Sequence, residues 1–375
     1  MIMIAIYCIS ILLIFLYILL IACFIRSWNS LPSYDLFSPG KTTVTVIIPF
    51  RNEERNMQSI VRALEKQTYP LHQWKVLFVD DHSSDKSVEV LSSCLINMPN
   101  AGLISTPSAM HGKKSALQYA AERTGSELLL FTDADCTMGE DWICSMVSFY
   151  ENKRPFFISG PVILEAGDSF FSKFQSLEFL SLAGSSAASF ACGNPIMANG
   201  ANIAVNREIY LESIDEQVNA TPSGDDVFLL LYIKKNYPGK LCYLKSSSAI
   251  VTTKPATDMR SFLNQRLRWV SKARYYRDSS VILTAILVFM LNSCIIACLI
   301  AGFFRAEFFI PCAIMIPGKS IIDFIFLRKI SEFTGQVKIL RIFAFSELVY
   351  FLYVVIAGLF GNIMSVKWKE RKIKI

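Results

Sequence analysis

Hydrophobic positions in this chain fall into two patterns. Toward both ends they run almost without interruption, whereas in the middle they come in short blocks closed by polar turns. Residues 1–25 contain no charged side chain, and about 20 apolar residues suffice to cross a hydrocarbon core. The stretch predicts a retained membrane anchor, because a cleaved signal peptide would carry a basic lead and a small-residue cleavage site. Residues 281–304 are also uncharged, and 342–363 contain Glu347 as their one charge. Residues 308–327 are apolar but interrupted by Pro317-Gly318, and they carry Lys319 and Asp323 at a spacing that pairs them on one helix face. A re-entrant or interfacial hairpin competes with a full crossing there.

Between about residues 42 and 278 the blocks alternate strand, helix, strand, helix. Residues 44–49 read as a strand. Residues 53–67 read as a helix, with Met57, Ile60, Val61 and Leu64 at helical spacing. Residues 74–79 form a second buried strand, 85–94 a helix, 115–123 another helix, and 128–131 a third strand. Continuous apolar strands alternating with helices predict an α/β domain: a mostly parallel, Rossmann-like sheet with helices on both faces. The organisation expected is an anchor (1–25), a linker (26–41), a cytoplasmic catalytic domain (42–258), an interfacial amphipathic helix (259–278), C-terminal transmembrane or re-entrant helices (279–365) and a basic tail (366–375).

Three of the strands end in polar residues: Arg51-Asn52-Glu53, Asp80-Asp81 and Asp133-Ala134-Asp135. In a parallel sheet these reach one edge, outside the carboxyl ends of the strands, where ligands bind. So many carboxylates repel one another. A hard divalent cation carrying phosphates, together with hydrogen bonds to a base and sugar, would relieve that repulsion.

Composition sharpens the picture. The chain has 375 residues, 53% of them hydrophobic, and a net charge of +6. Much of that charge flanks the apolar spans, which suits a protein on anionic lipid. No basic-aromatic array points to nucleic acid. Ten scattered cysteines include no Cys-x-x-Cys pair, which fits a reducing compartment. Arg26 and Lys41 after the first span, and Arg274 and Arg277 before the second, place the middle region in the cytoplasm. Three C-terminal crossings would then export the tail, Lys367 to Lys372, so residues 308–327 are the segment expected not to cross.

The ordered motifs resemble the membrane-bound family-2 glycosyltransferases with their nucleotide-sugar-binding GT-A domain. Ile47-Ile48-Pro49-Phe50-Arg51-Asn52-Glu53-Glu54 is similar to the family's opening strand and loop, with Arg51 in place of the usual aromatic. Val79-Asp80-Asp81-His82-Ser83-Ser84-Asp85 resembles its uridine-recognising turn, with His82 where glycine is usual. Gly112-Lys113 followed by Ala116-Leu117, and Asp133-Ala134-Asp135, match two further elements. Asn199-Gly200-Ala201-Asn202, Gly224-Asp225-Asp226 and Gln265-Arg266-Leu267-Arg268-Trp269 complete the series; the last is found in ceramide glucosyltransferase-like members.

The resemblance implies inverting, metal-dependent transfer from a nucleotide sugar, a UDP-sugar by the form of the turn. The acceptor would be a lipid or lipid-linked glycan at the cytoplasmic face of a bacterial inner membrane. It assigns Asp226, supported by Asp225, as the catalytic base. Pro49, Asn52, Glu53, Asp80, Asp81, Lys113, Asp133 and Arg268 would bind the donor, and Gly200, Asn202, Gln265 and Trp269 the acceptor. Asp135 and Asp133 would hold Mg²⁺ or Mn²⁺. Plainer roles stand beside these: Asp225 and Asp226 after Ser223-Gly224 as helix-terminal acids, Asp80 or Asp81 as a cap for the next helix, and Arg260, Arg266, Arg274 and Arg277 as snorkelling membrane-surface groups. His82 and His111 read as surface groups. A processive polysaccharide synthase is the alternative activity, and a catalytically inactive membrane scaffold the alternative class.

Overall fold

The computed structural model of the chain describes residues 2–35, 40–214, 224–361, 366–368 and 371–373. Residues 36–39 of the linker, residues 215–223 with Ser223 among them, residues 362–365 and four residues of the basic tail lie outside the described residues. The chain divides into two compact units. One holds Leu31–Glu165 and Ser189–Lys254; the other holds Met1–Ser30, Ala166–Ala188 and Pro255–Ile375.

In chain order the strands of the first unit are β1 (Val44–Phe50), β2 (Trp74–Asp80), β3 (Ala101–Ser105), β4 (Leu128–Phe131), β5 (Thr137–Met138), β6 (Phe157–Ser159), β7 (Val162–Leu164), β8 (Ile203–Asn206), β9 (Leu241–Tyr243) and β10 (Val251–Thr253). The helices of the chain are α1 (Ile2–Ser30), α2 (Met57–Glu65), α3 (Ser87–Cys94), α4 (Lys113–Ala121), α5 (Trp142–Lys153), α6 (Phe170–Ala191), α7 (Arg207–Ser213), α8 (Asp225–Asn236), α9 (Met259–Val270), α10 (Ser279–Gly302), α11 (Phe309–Thr334) and α12 (Phe343–Phe360).

The main sheet of the first unit has the order β3-β2-β1-β4-β8-β6-β9. Strands β1 to β4 run parallel, and β8 enters antiparallel between β4 and β6. All seven residues of β1 are buried, as the unbroken apolar run requires of a central strand. Each fully buried Val, Ile, Leu or Phe contributes about 1.5–3 kcal/mol relative to exposure. In α2 the buried positions are Met57, Ile60, Val61 and Leu64, the helical stripe read from the sequence.

Register sets where the polar loops leave. Phe50 lies opposite Asp80, Ile47 opposite Phe131, and Phe131 opposite Ile203. The segments after β1, β2 and β4 and the segment before β8 therefore share one sheet edge. A second sheet, β5-β10-β7, pairs Thr137 with Thr252 and pins the chain beyond Asp135.

The second unit contains four helices long and apolar enough to cross a membrane: Met3–Ser30, Ser279–Gly302, Ala306–Thr334 and Val337–Phe360. The third holds residues 308–327, where a hairpin and a full crossing were both open, and there α11 continues through Pro317 without a break. Proline removes one hydrogen bond and kinks a helix without ending it when neighbours support the turn. Here Gly318 supplies the neighbour: a Cβ on it would lie 3.3 Å from Ile14 on α1, so the missing side chain is a packing notch. Lys319 and Asp323 pair as expected, at 2.6 Å, and Glu347 of α12 closes on the same ammonium at 2.9 Å. Tyr17 of α1 donates to both oxygens of Asp323, at 2.8 and 3.0 Å.

Candidate active site

Each polar segment at the sheet edge is tied to its neighbour. After β1, Arg51 donates Nη1 to the carbonyls of Asp81 and His82, at 2.7 and 2.8 Å. Asn52 has a left-handed φ of +53°, which asparagine tolerates better than most residues. Its Oδ1 accepts from Ser84 N at 2.8 Å. Glu53 donates N–H to Ser87 Oγ at 2.7 Å, and its Oε2 accepts from Asn56 at 2.6 Å. Pro49 is a buried strand residue. Arg51, where an aromatic was expected, thus serves as the strap between two loops.

Asp80 and Asp81 are 6% and 2% exposed. Asp80 Oδ1 accepts from Ser83 N, and Asp81 Oδ1 accepts from Gly112 N, both at 3.0 Å. Neither of them bonds to the first turn of α3; Asp85, one residue before the N-cap Lys86, does, its Oδ1 accepting from Ser87 N at 3.0 Å. Burial alone would raise the Asp85 pKa, but the Ser87 hydroxyl and backbone N–H groups outweigh it and hold the carboxyl below its ordinary value.

Lys113 opens α4, an end at which the helix dipole disfavours a cation. What holds it there is Asp133 Oδ1 at 2.6 Å. Burial opposes the lysine's charge, yet Asp133, then Asp225 and Asp226, outweigh burial and raise its pKa. This ion pair joins the Gly112-Lys113 segment to the Asp133-Ala134-Asp135 loop. The thiol of Cys136, at the end of that loop, is pushed up by burial and then by the charges of Asp135 and Asp133. Asp225 and Asp226 form the first turn of α8 after Gly224, whose φ is +102°. Asp226 Oδ2 accepts from Gly200 N at 3.1 Å, and its Oδ1 accepts from Val227 N at 2.8 Å. A Cβ at Gly200 would sit 3.3 Å from Lys113 Nζ and 3.5 Å from Asp226 Oδ2. The structure therefore brings Lys113, Asp133, Gly200, Asp225 and Asp226 together, from four separate segments. The helix-terminal role of Asp226 coexists with its place in this cluster.

Asn202 needs correction as an acceptor contact. It is fully buried, accepts from Trp142 Nε1 at 2.9 Å, and donates to the carbonyls of Pro161 and Ala249 at 2.8 Å each. A Cβ on Gly160 would collide with this amide. Asn202 is thus a tie between the two sheets and α5. Asn202→Ala leaves those buried groups unpaired, at about 1–3 kcal/mol each. The expected result is a lower thermal midpoint in purified protein, and an unchanged midpoint would refute the assignment.

Gln265, Arg268 and Trp269 lie on α9, in the second unit, which Asp258 caps by accepting from Ser261 N at 2.9 Å. Beyond Val270 the helix tightens into a 3₁₀ turn over Ser271–Tyr275. Arg266, for which snorkelling was the plainer alternative, is 2% exposed. It forms a two-pronged ion pair with Glu178, at 3.1 and 2.5 Å, and its guanidinium lies 4.2 Å from the Trp269 ring centre. It also donates to Gln265 Oε1, and Tyr353 donates to Glu178 at 3.3 Å. Glu178 lies about ninety residues from α9 in sequence, and loop closure over such a distance leaves no local signal. Arginine also packs on aromatic faces in a way lysine does not.

A family model for glycosyl transferase family 2 matches residues 45–213. Glycosyltransferase AglE of Haloferax volcanii is 31% identical over 100 residues, which cover 27% of this chain and 33% of that protein. Beta-monoglucosyldiacylglycerol synthase of Trichormus variabilis is 26% identical over 137 residues, 36% of this chain and 29% of that protein. The chain thus spans about a third of the length of the curated relatives it matches. The mannosyltransferase PcManGT from Pyrobaculum calidifontis, solved in complex with GDP-Man and Mn²⁺, superposes with a TM-score of 0.59 at 18% identity. That superposition covers 92% of this chain and 97% of the other, and it is a likeness of fold. The family expected from the ordered motifs is the family found: residues 45–213 carry a glycosyl transferase family 2 domain on the GT-A fold.

Proposed function

We propose that this chain is an inverting, metal-dependent glycosyltransferase that moves a sugar from a nucleotide sugar, a UDP-sugar by its turn motif, to a lipid or lipid-linked acceptor at a membrane surface. The observation that carries the reading is the convergence of Lys113, Asp133, Gly200 and Asp226 at the edge of a family-2 domain. Relatives named for diacylglycerol, dolichyl-phosphate and undecaprenyl-phosphate products or acceptors support the lipid class. The four apolar helices support the membrane setting. The Arg26 and Arg277 flanks favour a cytoplasmic catalytic face, as in a bacterial inner-membrane enzyme.

The residues fit a hard cation. Asp133, Asp135, Asp225 and Asp226 supply carboxylate oxygens, and their combined charge exceeds that of Lys113, whose pKa Asp133, Asp225 and Asp226 raise. Asp135, with Asp133, would hold Mg²⁺ or Mn²⁺, which as a Lewis acid stabilises charge on a leaving diphosphate. Asp80 and Asp81, on a turn strapped by Arg51, are placed in this reading as the nucleoside contacts, beside Pro49, Asn52 and Glu53. Asp226 takes the proton of the acceptor hydroxyl as that oxygen bonds to the sugar carbon and the bond to the diphosphate breaks. A carboxylate anchored by two backbone N–H groups is preorganised for such a transfer. Arg268 is assigned to diphosphate, and Gln265 and Trp269 to the acceptor, with Arg266 stacked on Trp269 to hold its ring.

Removal of divalent metal tests the assignment of Asp135. In detergent-solubilised protein, EDTA is expected to abolish release of UDP from a UDP-sugar, and Mg²⁺ or Mn²⁺ to restore it. Full turnover in metal-free buffer would exclude this role. A parallel screen of UDP-, GDP- and dTDP-sugars identifies the donor, and single addition as opposed to a polymer ladder separates lipid glycosylation from processive synthesis. A scaffold would turn over none of them.

A further inference from the structure

Two of the chain's three histidines, neither of which the proposed reaction uses, meet beside the buried carboxylate of Asp81. His82 follows β2 and His111 precedes α4; their ring centres are 4.8 Å apart, edge to face. A nitrogen from each ring and a carboxylate oxygen of Asp81 all lie within 4.8 Å of one another. We propose that Asp81, His82 and His111 form a second cation site, selective for a borderline transition metal of the Zn²⁺ class, whose occupation blocks the nucleoside end of the donor pocket. The blocking clause rests on the glycosyl-transfer reading; the metal site itself does not.

The chemistry of the donor set separates this site from the acidic loop. Oxygen-only ligands suit Mg²⁺ or Mn²⁺, whereas imidazole suits Zn²⁺, Ni²⁺ and Cu²⁺. Two imidazoles and one carboxylate are a three-ligand zinc set with a fourth position left for water or a ligand. With Zn–N bonds of about 2.0–2.1 Å, neighbouring ligand atoms come within about 3.4 Å. Rotation of the exposed His111 side chain supplies the remaining approach.

The surroundings orient the ligands. His82 Nε2 lies 3.1 Å from the carbonyl of Met110. In the tautomer that donates there, Nδ1 keeps its lone pair, the arrangement by which ligand histidines are oriented through their second nitrogen. One oxygen of Asp81 is held by Gly112 N. The carbonyls of Asp81 and His82 are both strapped by Arg51, so the turn does not depend on the metal for its shape. His82 keeps a left-handed φ of +58° in this turn. A cation on Asp81 occupies the carboxylate proposed to read the nucleoside, so metal and donor compete.

Zn²⁺ binding to the purified full chain in detergent, followed by calorimetry and by the visible bands of Co²⁺ as a spectroscopic substitute, tests the site. His82→Gly suits the positive φ, and His111→Ala changes an exposed side chain, so both are expected to fold. Each is expected to weaken Zn²⁺ at least about 10–100-fold, while Asp135→Asn leaves this binding in place. Unchanged affinity in both histidine variants, or loss caused only by Asp135→Asn, overturns the site. Zn²⁺ is further expected to weaken UDP binding in the parent protein and much less in His111→Ala; equal weakening in both overturns the competition. UDP that fails to bind even without Zn²⁺ would instead reject the donor reading, and the histidine arm still decides the metal site.

Discussion

Asp226→Asn is expected to lower kcat by about 10²–10⁴-fold, the usual contribution of a positioned general base, while nucleotide binding persists. Both oxygens of the native carboxylate accept backbone hydrogen bonds, from Gly200 and Val227. The amide keeps one acceptor and turns an NH₂ toward the other N–H, a loss of about 0.5–1.5 kcal/mol that the fold should survive. Calorimetric UDP binding and the thermal midpoint are therefore the controls, and sugar transfer is the readout. Asp225→Asn should be milder: Asp225 acts on Lys113 and Lys114 through charge, without the bond to Gly200. Turnover of the Asp226 variant within a few-fold of the parent would remove it as the base.

Lys319→Met is expected to be the most damaging substitution for stability. The native ammonium is fully buried and bridges Asp323 and Glu347. Methionine fills a similar volume but leaves two carboxylates facing each other in an apolar bundle. Removing one partner of a buried ionic group costs about 3–5 kcal/mol. The variant should lose thermal stability in detergent, whereas Lys319→Met combined with Asp323→Leu and Glu347→Met should recover most of it, because no charge then remains unmatched. A single variant as stable as the parent would show that the cluster is not a structural lock.

Much of the α/β unit was legible because its signals are local. The run from Leu128 to Phe131 is apolar at every position, and a strand buried on both faces has that composition. The stripe of Met57, Ile60, Val61 and Leu64 repeats at the helical period. Elements of this kind are read within ten residues. Pro317-Gly318 left a hairpin and a continuous helix both open for a related reason: a breaker is a local property, but whether the helix survives depends on α1 packing into the notch. The burial of Arg266 was not legible because its partner, Glu178, is remote in sequence. Asn202 sits in a motif that resembles an acceptor loop, yet its amide is consumed by Trp142, Pro161 and Ala249, none of which is its sequence neighbour.

The chain's own order of residues determined the parallel strands, the acidic edge and the apolar helices, since hydrophobic period and turn chemistry act over short distances. Tertiary structure alone decided the long-range charge pairs: Lys113 with Asp133, Arg266 with Glu178, and Glu347 with the ammonium that Lys319 already shares with Asp323. Such pairs form only after distant segments are packed, when burial makes an unmatched charge too costly to leave alone.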